Sequence, residues 1–194
     1  MSAEHPLRRW SRRSGFGALI ALALIFSGCR SEAIRYHTLL PPFSGKTEPD
    51  ANAVIQALSV PAQVDRAQIV LREGDSSLRI LEADWWGATL AEEMKNALTD
   101  QLGQRNGNTP PALVRVEVRR FDAVPGRYAL IDTLWRVGGN GGDTPAPLTC
   151  TALLQTDAGV SVDALVAAQQ RNIAQLAARI AASARNWRSG GGCP

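Results

Sequence analysis

"ALVRVEVRRFDAVPGRYALIDTLWRVGG", residues 112–139, alternates along most of its length. Val114, Val116 and Val118 fall on one side and Arg115, Glu117 and Arg119 on the other, the period-two pattern of a half-buried antiparallel strand. Pro125-Gly126 supplies turn chemistry at the middle. On the return Ala129, Ile131, Thr133, Trp135 and Val137 again share a face. The stretch predicts a long β-hairpin with one wet and one dry face, and the dry face has to be covered by another layer.

Two segments have the period to cover it. In "GATLAEEMKNALTDQLGQRNG" (87–107), Leu90, Met94, Ala97, Leu98 and Leu102 recur at three- and four-residue steps, while Glu92, Glu93, Lys95 and Asp100 fall elsewhere. That is an amphipathic helix ending near Gly103 or Asn106-Gly107, with Met94 as core packing. The second helix starts at a Ser161 or Asp163 cap. It carries the stripe Leu165, Val166, Gln169, Ile173, Leu176, Ile180, Ala184 and Trp187.

The remaining segments read as strands. They are a short one in "AIRYHTLLPP", "AVIQALSVP" (53–61), and a hairpin of Ala67–Arg72 and Ser77–Glu82 turning at 73–76. "LTCTALLQT" (148–156) is the last. "FSGKTEPDAN" (43–52) is a loop. "GGNGGDTPAP" (138–147) is a Gly-rich connection without the Lys and spacing of a phosphate loop. The order predicts an α+β two-layer sandwich, a mainly antiparallel sheet with two amphipathic helices.

The N-terminus fixes the compartment. The apolar run Phe16–Phe26 has eleven residues, short of the roughly 20 a bilayer span needs and suited to a signal-peptide core. Arg8, Arg9, Arg12 and Arg13 precede it, and Phe26-Ser27-Gly28-Cys29 follows. This resembles a bacterial lipobox, with Phe26 where Leu is commoner. The resemblance implies cleavage before Cys29, acylation of its thiol, and membrane anchoring without a transmembrane helix. Arg30, where an Asp would retain the protein in the inner membrane, points to the outer membrane.

Removing residues 1–28 takes four arginines and Glu4, leaving 17 basic and 17 acidic residues. The basic charge belongs to the signal, so a nucleic-acid partner has no electrostatic support. Of two histidines only His37 remains. A His-based metal cluster is excluded, no cofactor is expected, and any Ser-His-Asp triad would have to use His37. In its strand-like setting a surface or hydrogen-bonded His is the plainer reading. Two cysteines remain besides Cys29. Export favours a disulfide between Cys150 and Cys193, whereas the shared face of Leu148, Cys150, Ala152 and Leu154 suits a buried free thiol; both stay open.

Several motifs in order carry a family resemblance. Arg35-Tyr36-His37-Thr38-Leu39 stands where the family has an Arg-Tyr-Tyr-x-Leu-like strand. Val64-Asp65-Arg66-Ala67-Gln68-Ile69-Val70-Leu71-Arg72 follows, lacking the family's Pro. Trp85-Trp86 precedes the first helix, and Arg120-Phe121-Asp122, Gly126 and Trp135 come after it. The chain resembles PqiC-type lipoproteins, the ABC-type transport auxiliary lipoprotein family.

That resemblance implies an accessory subunit of an MCE-type lipid transport system, lipid-anchored at the outer membrane on its periplasmic face and supporting envelope integrity. It implies partners among MCE-domain, permease and ABC components, with phospholipids or other apolar molecules as cargo and no bond chemistry. A symmetric homo-oligomer ring would match a tubular partner. Trp85 and Trp86 are the candidate partner surface, one filling the core and the other exposed. The expected organisation is a signal peptide at 1–28, a lipidated N-terminus with strand and loop at 29–52, the auxiliary domain at 53–188 and a flexible tail at 189–194. The alternatives are an envelope hydrolase using the Glu82/Asp84 or Glu92/Glu93 pairs, or a purely structural lipoprotein.

Overall fold

A computed structural model describes residues 32–42, 51–103, 109–140 and 145–194, and the fold is that of the compact unit Ile34–Pro194. The signal peptide, Cys29, most of the 43–52 loop, the Asn106-Gly107 helix end and the middle of the Gly-rich connection lie outside the described residues.

The elements run β1 (Arg35–His37), β2 (Ala53–Ser59), β3 (Gln68–Glu73), β4 (Ser77–Trp86), α1 (Leu90–Leu102), β5 (Ala112–Val124), β6 (Tyr128–Gly138), β7 (Leu148–Asp157) and α2 (Val162–Arg188). The class is α+β. The strands form two mixed sheets rather than one, ordered β1-β4-β3 and β2-β5-β6-β7. The meander and the β3–β4 hairpin are antiparallel, while β1 joins β4 and β2 joins β5 in parallel. β4 runs four residues beyond its expected end at Glu82, because β1 supplies a partner for Asp84, Trp85 and Trp86.

The hairpin at 112–139 forms the centre of the larger sheet. Val114, Val116 and Val118 are buried, as are all five residues of the return face. A bulge between Val118 and Arg120 shifts the register. It lets Phe121 and Ala123 continue the buried face where strict alternation would have turned Arg120 and Asp122 inward.

Both helices bury the stripes expected of them. Thr89 caps α1 in a reciprocal capping box with Glu92, and Gly103 closes it at φ 76°, a conformation that favours glycine. Ser161 caps α2 through the Ala164 N–H. Asp163 in its first turn and Arg185 and Arg188 in its last complement the helix dipole.

Two buried amides on α2 serve the sheet. Gln169 donates to the Asp122 carbonyl at 2.9 Å, and Asn172 donates to the Ala129 carbonyl at 3.0 Å. Trp135, 1% exposed, donates its indole N–H to Ser183 Oγ at 3.1 Å. The polar atoms of this interface thus meet partners rather than hydrocarbon.

Candidate functional site

The residues that first follow Cys29 in the described structure are stitched to the domain from three sides. β1 lies parallel to the end of β4, with Arg35 opposite Asp84, Tyr36 opposite Trp85 and His37 opposite Trp86. The Arg35 guanidinium meets one Asp84 carboxylate oxygen at 2.9 Å, and His37 Nε2 meets the other at 2.8 Å. An ionised carboxylate only accepts, so the ring donates from Nε2. Its Nδ1 lies 3.5 Å from Asp163 at the start of α2. Burial pushes the Asp84 carboxyl up. The hydrogen bonds from His37 and Arg35, with their charges, outweigh it and hold the group below the ordinary carboxylate value.

The next residues are held by the helices. Glu93 is buried, and one of its oxygens accepts from the Leu39 backbone N–H and from the Thr38 hydroxyl, both at 2.9 Å. Gln170 on α2 donates to the Thr38 carbonyl at 3.0 Å and the Leu40 carbonyl at 3.2 Å. Leu39, fully buried, sits between these clamps.

The tryptophan pair divides by face. Trp86 is buried and meets Phe121 edge-to-face, with ring centroids 6.4 Å apart. Trp85 is half-buried, and its indole N–H donates to the Glu82 carbonyl at 2.9 Å. Tyr36, its register neighbour, is 67% exposed, and Ile34 is exposed beside the strand.

The carboxylate pairs do not converge. Glu92 serves the α1 cap while Glu93 is directed to Thr38 and Leu39. Glu82 is exposed while Asp84 is buried against Arg35 and His37. Each buried acid of the pairs is committed to binding another part of the chain. Among the described residues no group of three or more His, Cys, Asp or Glu is placed to hold a metal, and no helix is long and apolar enough to cross a membrane. Cys150 and Cys193 are disulfide-linked, with Cα atoms 5.7 Å apart. The final residues fold back on α2, where Asn186 donates to the Gly192 carbonyl and accepts from the Gly191 N–H.

Asp84 and Glu93 hold the segment 35–39, a role that the sequence pattern did not assign to them. A signal for Glu93 was present: three residues after Leu90 and four before Ala97, it falls within the buried stripe. Asp84 stands next to a Trp pair at a strand end, and only the arrival of β1 makes it internal.

A family model described as "ABC-type transport auxiliary lipoprotein component" matches residues 38–181, most of the chain. No curated protein matches the sequence significantly. Among solved structures, an uncharacterized protein superposes with a TM-score of 0.61 at 18% identity, covering 78% of this chain and 98% of its own. Protein XCC0632 from Xanthomonas campestris, assigned to DUF330, gives 0.56 at 13% identity, covering 76% and 92%. At these identities the likeness is one of fold.

Proposed function

Since the chain belongs to the family of ABC-type transport auxiliary lipoprotein components, we propose that it is the accessory lipoprotein of an MCE-type phospholipid transport system. In this reading Cys29 carries the acyl anchor, the domain stands on the periplasmic face of the outer membrane, and its work is docking and holding rather than bond chemistry. The observation that carries it is the fixing of the segment behind the anchor. Arg35 lies six positions after Cys29, a reach of at most about 22 Å at full extension. From Arg35 onward the chain is clamped by Asp84, Glu93 and Gln170. A domain so tied stays at the membrane surface and presents one end to it.

The face bearing Tyr36 and Trp85 adjoins that end, and it is the surface we assign to the partner or to a neighbouring copy in a ring. Aromatic residues with a polar handle are favoured at such interfaces.

Affinity capture of the full-length lipidated protein from solubilised membranes tests the proposal. Recovery of an MCE-domain protein with its permease and ATPase is the expected result. Capture of none of them, together with hydrolysis of a glycan or ester by the purified protein, would sink it.

A further inference from the structure

The outer face of the larger sheet carries an unusual pair. Arg115 on β5 and Arg136 on β6 stand directly opposite each other in the antiparallel register. Like charges in that relation are destabilising. Among the described residues, every other strand arginine faces a carboxylate: Arg35 and Asp84, Arg72 and Arg120 with Asp122, Arg79 and Glu73, Arg119 and Asp132. Arg115 and Arg136 make no ion pair among those residues. Their Nε atoms instead donate sideways to neutral acceptors, Arg115 to Gln56 Oε1 at 2.8 Å and Arg136 to the Thr149 hydroxyl at 3.4 Å. Those bonds use only the Nε donors, and among the described residues no bond engages the Nη donors of either arginine.

Two hollows share both arginines. One, of about 270 Å³, is completed by polar groups that include Gln56 and Asn140. The other, of about 300 Å³, has Leu58 and Leu134 in its wall and Glu117 at its border. Each is at or below the lower end of the range for a drug-sized ligand, about 300–1,000 Å³. The pair therefore suits a headgroup and the start of a chain rather than a whole lipid. Glu117 lines the second hollow, so an anion is better accommodated in the first, beside Gln56 and Asn140. Guanidinium forks match phosphate oxygens in geometry as well as charge.

We propose that this face binds the phosphate of an anionic phospholipid between Arg115 and Arg136, with the glycerol end of the lipid lying along Leu58 and Leu134. The inference rests on the phospholipid-transport reading and gives that reading a contact surface.

The test measures binding of monomeric dihexanoyl phosphatidic acid, inorganic phosphate and dihexanoylglycerol to the purified full-length protein by calorimetry. Dihexanoyl phosphatidic acid binds at least about tenfold more tightly than either of the others, since charge and apolar contact both contribute. Arg115→Gln and Arg136→Gln each weaken it at least about tenfold, Arg115→Lys weakens it less, and Arg79→Gln leaves it unchanged. Unchanged binding in both glutamine variants would overturn the site. Equal affinity for inorganic phosphate would overturn the lipid assignment, leaving a free-anion site. Thermal melts of all variants report folding independently. Capture of the transport partners by wild type and variants separates the two ideas: a lost lipid site with intact capture removes this inference alone, and failed capture by the wild type removes the transport reading.

Discussion

Glu93 Oε1 lies 2.9 Å from the position a Cβ would take on Gly87. The same Gly87 donates its N–H to the His37 carbonyl at 2.9 Å. Any side chain at 87 therefore presses on the carboxylate whose other oxygen holds Thr38 and Leu39. Glu93→Ala leaves the buried Leu39 N–H without its acceptor, a loss of about 1–3 kcal/mol. Gly87→Ala presses on the other oxygen of the same carboxylate and is expected to cost less, about 1 kcal/mol. The double variant then falls short of the sum of the two, and urea unfolding of the three variants measures the coupling.

Asp84 gives the domain an acid-sensitive joint. Its folded pKa is depressed, so its contribution is complete above the ordinary carboxylate value of about 3.9 and is lost as pH falls through the lower folded value. Asp84→Asn is expected to destabilise by about 1–3 kcal/mol at neutral pH. The gap to wild type closes in the acid range. Denaturant midpoints followed from pH 7 downward check this, and a gap that stays constant with pH contradicts it.

The two tryptophans separate stability from docking. Trp86→Ala removes a buried ring and costs about 3–5 kcal/mol. Trp85→Ala, on the half-buried side, stays within about 1 kcal/mol of wild type and reduces recovery of the transport partners. Equal recovery by the Trp85 variant would place the partner surface elsewhere.

Cys150 and Cys193 are 43 residues apart in sequence, and closing a loop of that length restricts the unfolded chain by about 4 kcal/mol in the entropy model. Cys193→Ser is expected to lose much of that. Alkylation of the unfolded protein should modify neither cysteine before reduction and both after it, read by mass spectrometry.

Cys29→Ala is expected to leave the fold unchanged and to remove the acyl mass from the N-terminal peptide, read by mass spectrometry. Absence of acyl mass at Cys29 in the wild-type protein would refute the anchor.

Much of this was legible because amphipathic periodicity reports burial directly. The hairpin from Ala112 to Gly138 and the stripes of both helices needed only their own residues to be found. What was not legible depends on partners distant in sequence. β1 is three residues long and carries no period of its own, so its parallel place beside β4 is invisible until both are folded. The same holds for β2 against β5, and it is why one sheet was expected where there are two. Asp84 was hidden for the same reason, since β1 covers it, whereas Glu93 lay within the buried stripe of α1 and could have been read there.

The parallel seat of β1 also has a mechanical meaning. Backbone bonds between strands run across the strand direction, so tension drawn along β1 strains all of its attachments together instead of peeling them one by one. The salt bridge at Arg35, the His37 bond and the Glu93 clamp share that strain. At the other end of the chain the covalent link of Cys193 to β7 prevents the last residues from unravelling. On the proposed anchoring, a body fastened in this way is expected to resist a pull applied through its first strand without losing its shape.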